Sequence, residues 1–242
     1  MSIAEKLQII AENQQKVYDE GYETGKQAEY DAFWDKYQSN GNRTFYAKGF
    51  AGSGWSNITF KPKYDMHPTD AERMFSDCSI TDLKGLLEEL GIVLDFSNTT
   101  YFNYPFDNSQ ITRVGIIDTS SVSSLNYFLN NSKHLQYIEK FIFKSDGTQT
   151  FTSLTFQSCN SLSDVIFEGC VGQSLSVQWC PLNLESAKSL INCLKDYSGT
   201  DKDGTYKITF SSTTKTLLEA DGNTAPHGGT WLDYVEHKGW TA

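Results

Sequence analysis

The feature that most constrains this chain is a spacing. In FQSCNSLSDVIFEG, residues 156–169, the apolar residues Phe156, Cys159, Leu162, Val165 and Phe167 fall at a stride of three that ends in a stride of two. A strand buried on both faces reads as a near-continuous apolar run, and a half-buried one alternates. This stretch does neither, and its pattern recurs. Hydrophobic pairs three residues apart stand at Ile80/Leu83, Ile111/Val114, Leu135/Ile138 and Leu162/Val165. Each is preceded by a phenylalanine (Phe75, Phe106, Phe128, Phe156), with Cys78, Asn108, Asn131 or Cys159 between them. Measured from Ile80, Ile111, Leu135 and Leu162, the units are 31, 24 and 27 residues apart. Units of that length bury their apolar edge only by stacking on neighbours, as in a solenoid. The stride of three then marks a chain turning a corner between rungs, and VGII, EKFIF and DVIFEG are the expected strands. On this reading Ile116 and Phe167 point inward, five residues after the first member of their pair, where Gly85 and Lys140 break the pattern.

The flanks have a different character. Residues 1–38 read as one long helix whose Ile3, Leu7, Ile10, Gln14, Val17 and Gly21 fall at steps of four and three, a heptad seam suited to a coiled coil. That seam predicts self-association or docking, with Gln14 as the polar position that sets register; packing on its own domain is the alternative. Residues 39–73, punctuated by Pro62 and Pro68, read as an irregular β connector. Residues 74–180 carry the repeat, with an extra amphipathic helix, DLKGLLEEL, that Gly91 closes. Residues 181–242 read as a helix–strand cap: Asn183 N-caps a helix through Ser186, KITF is a strand, and KTLLEA and WLDYVEHKGW follow. The expected fold class is therefore α/β, a long N-terminal helix, a short irregular repeat solenoid and an α/β C-terminal cap.

The unit F-x-x-C/N-x-x-L-x-x-V/I resembles the BspA-like class of leucine-rich repeats, over about 100 residues. In addition, VYDEGYETGKQAEYDAFWDKYQ near the start resembles leucine-rich-repeat proteins encoded by phages and prophages of gut Firmicutes. The same group is matched by VQWCPLNLESAKSLINCLKDYSGTDKDGTYKITF and the tail WLDYVEHKGW. The resemblance implies a virion structural component of tail, baseplate or fibre, whose partners are other virion proteins and a host-surface glycan or protein receptor. A bacterial cell-surface adhesin or interaction module with the same repeat is the alternative, and a glycan depolymerase a further one. The first residues, MSIAEKLQIIAENQQ, lack the pattern of a secretory signal. That absence favours a protein folding in the host cytoplasm and localised to the virion.

Chemistry is sparse in this sequence. A net charge of −10 argues against nucleic acid as a partner, and no apolar run is long enough for membrane insertion. Five cysteines (Cys78, Cys159, Cys170, Cys180, Cys193) form no CxxC and no zinc spacing, so reduced buried thiols are expected. His67, His134, His227 and His237 are scattered, and GxSxG, GxGxxG and Walker sequences are absent. Asp201-Lys202-Asp203-Gly204 is a calcium-loop fragment without its later carboxylate. No enzyme activity, cofactor, metal or catalytic residue is therefore expected. Binding is expected instead, through outward positions of the repeat at Arg113, Tyr137, Glu139, Asp164 and Glu168, with Tyr46, Phe50 and Trp55 of the connector as further stacking candidates.

Overall fold

The computed structural model describes residues 65–242 together with Ala28. The proposed helical seam (Ile3, Leu7, Ile10, Gln14, Val17 and Gly21) and the connector aromatics Tyr46, Phe50 and Trp55 lie outside the described residues. Within 65–242 the chain is mixed α/β, with small sheets whose strands all run parallel.

The central sheet joins β1 (Arg113–Asp118), β3 (Tyr137–Ile142) and β5 (Asp164–Glu168) in chain order. Each strand therefore lies beside the equivalent strand of the next unit, and the intervening chain turns back underneath. A second layer pairs β2 (Ser124–Leu125) with β4 (Thr150–Phe151). Stacking extends on both sides of residues 74–180. Met66 bridges Leu94 and Asp70 bridges Tyr101 at one end. At the other, β6 (Leu175–Val177), β7 (Tyr206–Phe210) and β8 (Trp240–Thr241) form a further parallel sheet.

Helices close the central sheet at both edges. Helix α1 (Leu83–Leu90) takes the place of a strand beside β1; Asp82 caps its N-terminus and Gly91, at φ 65°, ends it in the left-handed conformation glycine tolerates. Helix α2 (Leu184–Cys193) covers β5, N-capped by the Asn183 side chain on the Ser186 amide. The cap continues through α3 (Ser212–Ala220) and α4 (Trp231–His237). Lys238 ties it to α2: its buried ammonium donates to the carbonyls of Ile191, Asn192 and Leu194 at that helix's C-terminus, where a cation is favoured.

The repeat unit has a sharper definition than its sequence spacing implies. Arg73, Tyr104 and Tyr127 have positive φ (50°, 54°, 54°), and so do Asp77, Asn108, Asn131 and Ser158 (55°, 53°, 61°, 60°). These two sets align RMFSDC, YPFDNS, YFLNNS and LTFQSC. The residue equivalent to Phe75, Phe106 and Phe156 is accordingly Leu129, not Phe128. Similarly, the equivalents of Cys78 and Cys159 are Ser109 and Ser132, while Asn108 and Asn131 occupy the turn position before them. Ser132 and Cys159 are buried and donate to the carbonyls of Phe106 and Leu129 in the preceding unit. Each of these carbonyls also accepts an amide of its own turn, Ser109 on Phe106 and Ser132 on Leu129, so the small donor adds a bond between rungs at the carbonyl's second acceptor position. Phe128 instead joins an aromatic spine, edge-on to Phe102 at 4.9 Å and to Phe141 at 5.5 Å.

A second correction concerns the strands. Ile116 is 46% exposed, whereas Ile117 and Phe141 are fully buried. Strands β1 and β3 place two consecutive residues outward between inward ones, Gly115-Ile116 between Val114 and Ile117, and Glu139-Lys140 between Ile138 and Phe141. Strand β5 alternates strictly, so the β3–β5 register shifts between Ile138 and Phe141. One extra residue in two adjacent strands behaves as a shared bulge, and it re-aims the outward side chains.

Candidate functional site

The outward face of the central sheet brings together all five sequence-predicted binding residues, though not as one cluster. Arg113, Tyr137 and Asp164 form a single cross-strand row, since Arg113 pairs in register with Tyr137 and Tyr137 with Asp164. The row extends to Asp82 at the start of α1, whose carboxylate accepts from Arg113 at 2.8 Å. The Arg113 guanidinium also lies 5.4 Å from the Tyr137 ring centroid. Residues directly opposite on neighbouring strands are the closest side-chain neighbours a sheet provides, so this row is a property of the register. It offers a cation, an aromatic ring and carboxylates in line, all half-buried or exposed.

Glu139 stands apart from that row, on the bulge. It pairs with Lys84 of α1 at 3.2 Å, and Lys84 also pairs with Glu88 one helical turn further on. Hydrogen bonding to Glu88 and then to Glu139 raises the Lys84 pKa and keeps its ammonium charged. Glu168 lies at the far end of the face, beyond Lys140, which it engages at 2.7 Å. Apolar side chains punctuate these charges: Ile116 on β1 and Ile166 on β5 are 46% and 44% exposed.

Between α1 and β1 the face deepens into a groove of about 180 Å³. Its walls include Leu87, Ile92, Leu94 and Ile116, with Lys84, Glu88 and Glu139 along the rim. Gly115 leaves it open, because a Cβ there would meet nothing within 4 Å. This groove has no signature in the sequence, since it depends on a helix replacing a strand and on the one-residue bulge.

A second outward row was also missed. Arg73 stacks over Tyr104 at 4.9 Å, and Tyr104 stacks on Tyr127 at 5.0 Å with 23° between ring planes. The signal was available: Arg73, Tyr104 and Tyr127 each stand four residues before Asp77, Asn108 or Asn131. Tyr104 lies between Arg73 and Tyr127 and is covered by them, whereas Tyr127 at the end of the row stays 36% exposed.

Other candidates resolve into structural roles. Cys78, Cys159, Cys180 and Cys193 are buried and Cys170 half-buried, all as free thiols. Burial pushes Cys78 up to about 11 and Cys193 up to about 12, which keeps them protonated at neutral pH. Asp203 accepts from the Gly199 amide within a turn. His227 and His237, ten residues apart in sequence, stack at 5.2 Å beside Tyr234. Among the described residues no group of three or more His, Cys, Asp or Glu side chains could hold a metal ion, and no helix is long and apolar enough to cross a membrane.

No family model, no curated protein and no solved structure matches this chain.

Proposed function

We propose that this chain is a non-enzymatic recognition protein whose described residues form a short leucine-rich-repeat solenoid displaying the outward face of β1, β3 and β5. The observation that carries the reading is the row Asp82, Arg113, Tyr137 and Asp164, which four successive units contribute in register. The pairing stabilises the sheet modestly, and it also leaves an aromatic ring and a guanidinium side by side on the exposed face. Such groups are the ones enriched where binding energy concentrates.

The sequence resemblance extends this reading to a phage virion component of tail, baseplate or fibre that presents the face to a host-surface receptor and assembles through its N-terminal segment. The experiment is direct. Labelled full-length chain is incubated with isolated cell walls of gut Firmicutes, and particles are labelled with antibody against the chain. Saturable retention on the walls of a susceptible strain and labelling at the particle tail are the expected results. Labelling confined to bacterial envelopes would transfer the reading to a cell-surface adhesin, and release of reducing ends from the walls would transfer it to a depolymerase.

A further inference from the structure

The groove between α1 and β1 has a chemistry distinct from the rest of the face. Its interior is apolar, and its rim carries two carboxylates against one ammonium. The side chains of Glu88 and Glu139 are 63% and 45% exposed, whereas that of Lys84 between them is 14% exposed. Each carboxylate has more acceptor positions than one lysine uses. The site therefore keeps a net negative charge and free acceptors facing solvent, on a chain that is itself at −10.

Volume narrows the occupant. Pockets that enclose a free small molecule run to roughly 300–1,000 Å³, and about 180 Å³ falls below that range. A groove of this size suits one long side chain of a larger partner. Apolar walls under a negative rim match a side chain with an aliphatic stem and a cationic head, which buries the stem while the charge stays at the surface. Complementary charge of this kind selects the partner and speeds encounter more than it adds raw affinity.

We infer that the α1–β1 groove, lined by Leu87, Ile92 and Ile116 and rimmed by Glu88 and Glu139, receives a lysine or arginine side chain presented by a partner polypeptide. The inference rests on the recognition reading and specifies its partner as a protein with an exposed basic side chain. Gly115 is the gate: with a side chain at this position the groove would be filled from the strand side.

The test uses isotope-labelled full-length chain and blocked pentapeptides with one central lysine, arginine, norleucine or glutamate among glycine and serine. The expected result is a saturable shift of the Gly115 amide resonance with the lysine and arginine peptides. Affinity should be about tenfold weaker for norleucine, which keeps the stem and loses the charge, and salt should weaken the lysine complex. Gly115→Val should abolish the shifts of the neighbouring amides while leaving the thermal midpoint unchanged, since no atom opposes the new side chain. Glu139→Gln should weaken the lysine peptide severalfold. Equal binding of norleucine and lysine, a lysine peptide that leaves Gly115 unperturbed, or undiminished affinity in Gly115→Val would each overturn the inference. Retention on cell walls, measured in parallel with Arg113→Glu/Tyr137→Ala, separates the two claims. If that variant loses retention while the peptides fail, the groove inference alone falls. If peptides bind while retention ignores the face, the recognition reading falls.

Discussion

Gln149 shows how single polar side chains hold the layers together. Its amide nitrogen, fully buried, donates to the carbonyls of Thr119 and Val122, both at 2.9 Å, in the preceding unit. Gln149→Leu keeps the volume but leaves the Val122 carbonyl without this donor, while the Thr119 carbonyl still accepts from the Val122 amide. A buried polar group left unsatisfied costs about 1–3 kcal/mol, and the variant should lose that much unfolding free energy in a denaturant titration. No loss would mean that water or a neighbour serves the Val122 carbonyl. Sequence gives no hint of this role, because a glutamine in KSDGTQT reads as part of a polar turn. Leu129 illustrates the opposite case. It was legible all along, but Phe128 beside it satisfied the same apolar requirement, and only the turn residues Tyr127 and Asn131 decide between them.

At the scale of elements, α2 solves the exposed-edge problem of β5 with hydroxyl groups. The Val165 amide donates to Ser186 Oγ at 2.8 Å and the Phe167 amide to Ser189 Oγ at 3.1 Å. Ser186 and Ser189, three apart, share a helix face, so they reach alternate amides along the strand. Ser186→Ala/Ser189→Ala should destabilise the protein by about 2–4 kcal/mol. Amide exchange at Val165 and Phe167 should accelerate more than at Val114 and Ile117; uniform acceleration would show a general loss of packing instead. Helix α2 itself was legible from Asn183, Ser186 and its apolar positions. Its function as an edge cover was not, because serine at a helix position reads as neutral until the neighbouring strand is known. The bulge of β1 and β3 was equally hidden: a stride of three fits both a corner and an extra residue, and burial of Ile117 rather than Ile116 settles it.

For the molecule as a whole, stability should fall on the alkaline side, and buried thiols set where. The ordinary thiol value is 9.0, and the folded chain holds Cys78 at about 11 and Cys193 at about 12, chiefly by burial. Above pH 9 the unfolded chain releases protons that the folded chain retains. The stabilisation is therefore complete below pH 9 and is lost as pH rises, towards about 11 for Cys78 and about 12 for Cys193. Each thiol contributes a slope of about 1.4 kcal/mol per pH unit within its window. Unfolding free energies measured from pH 8 to 11 should show that fall, and Cys78→Ala/Cys193→Ala should lessen it, leaving the share of Cys180, whose pKa burial also raises. A slope unchanged by both substitutions would assign the effect to other groups.

The same scale holds the central claim, that the stacked units exist to present one outward face. Its parts were legible as separate outward positions at Arg113, Tyr137, Glu139, Asp164 and Glu168. Which of them share a row was not, because register between strands 24 and 27 residues apart depends on turns that lie elsewhere in each unit. The most direct measurement is the apparent affinity of labelled full-length chain for cell walls of a susceptible strain, compared between the native chain, Arg113→Glu/Tyr137→Ala and Lys215→Glu. Lys215 lies on α3, away from the central sheet. The account predicts that the double variant loses about tenfold or more in affinity, with its fold intact by circular dichroism, while Lys215→Glu binds as the native chain does. Undiminished binding by the double variant would contradict it.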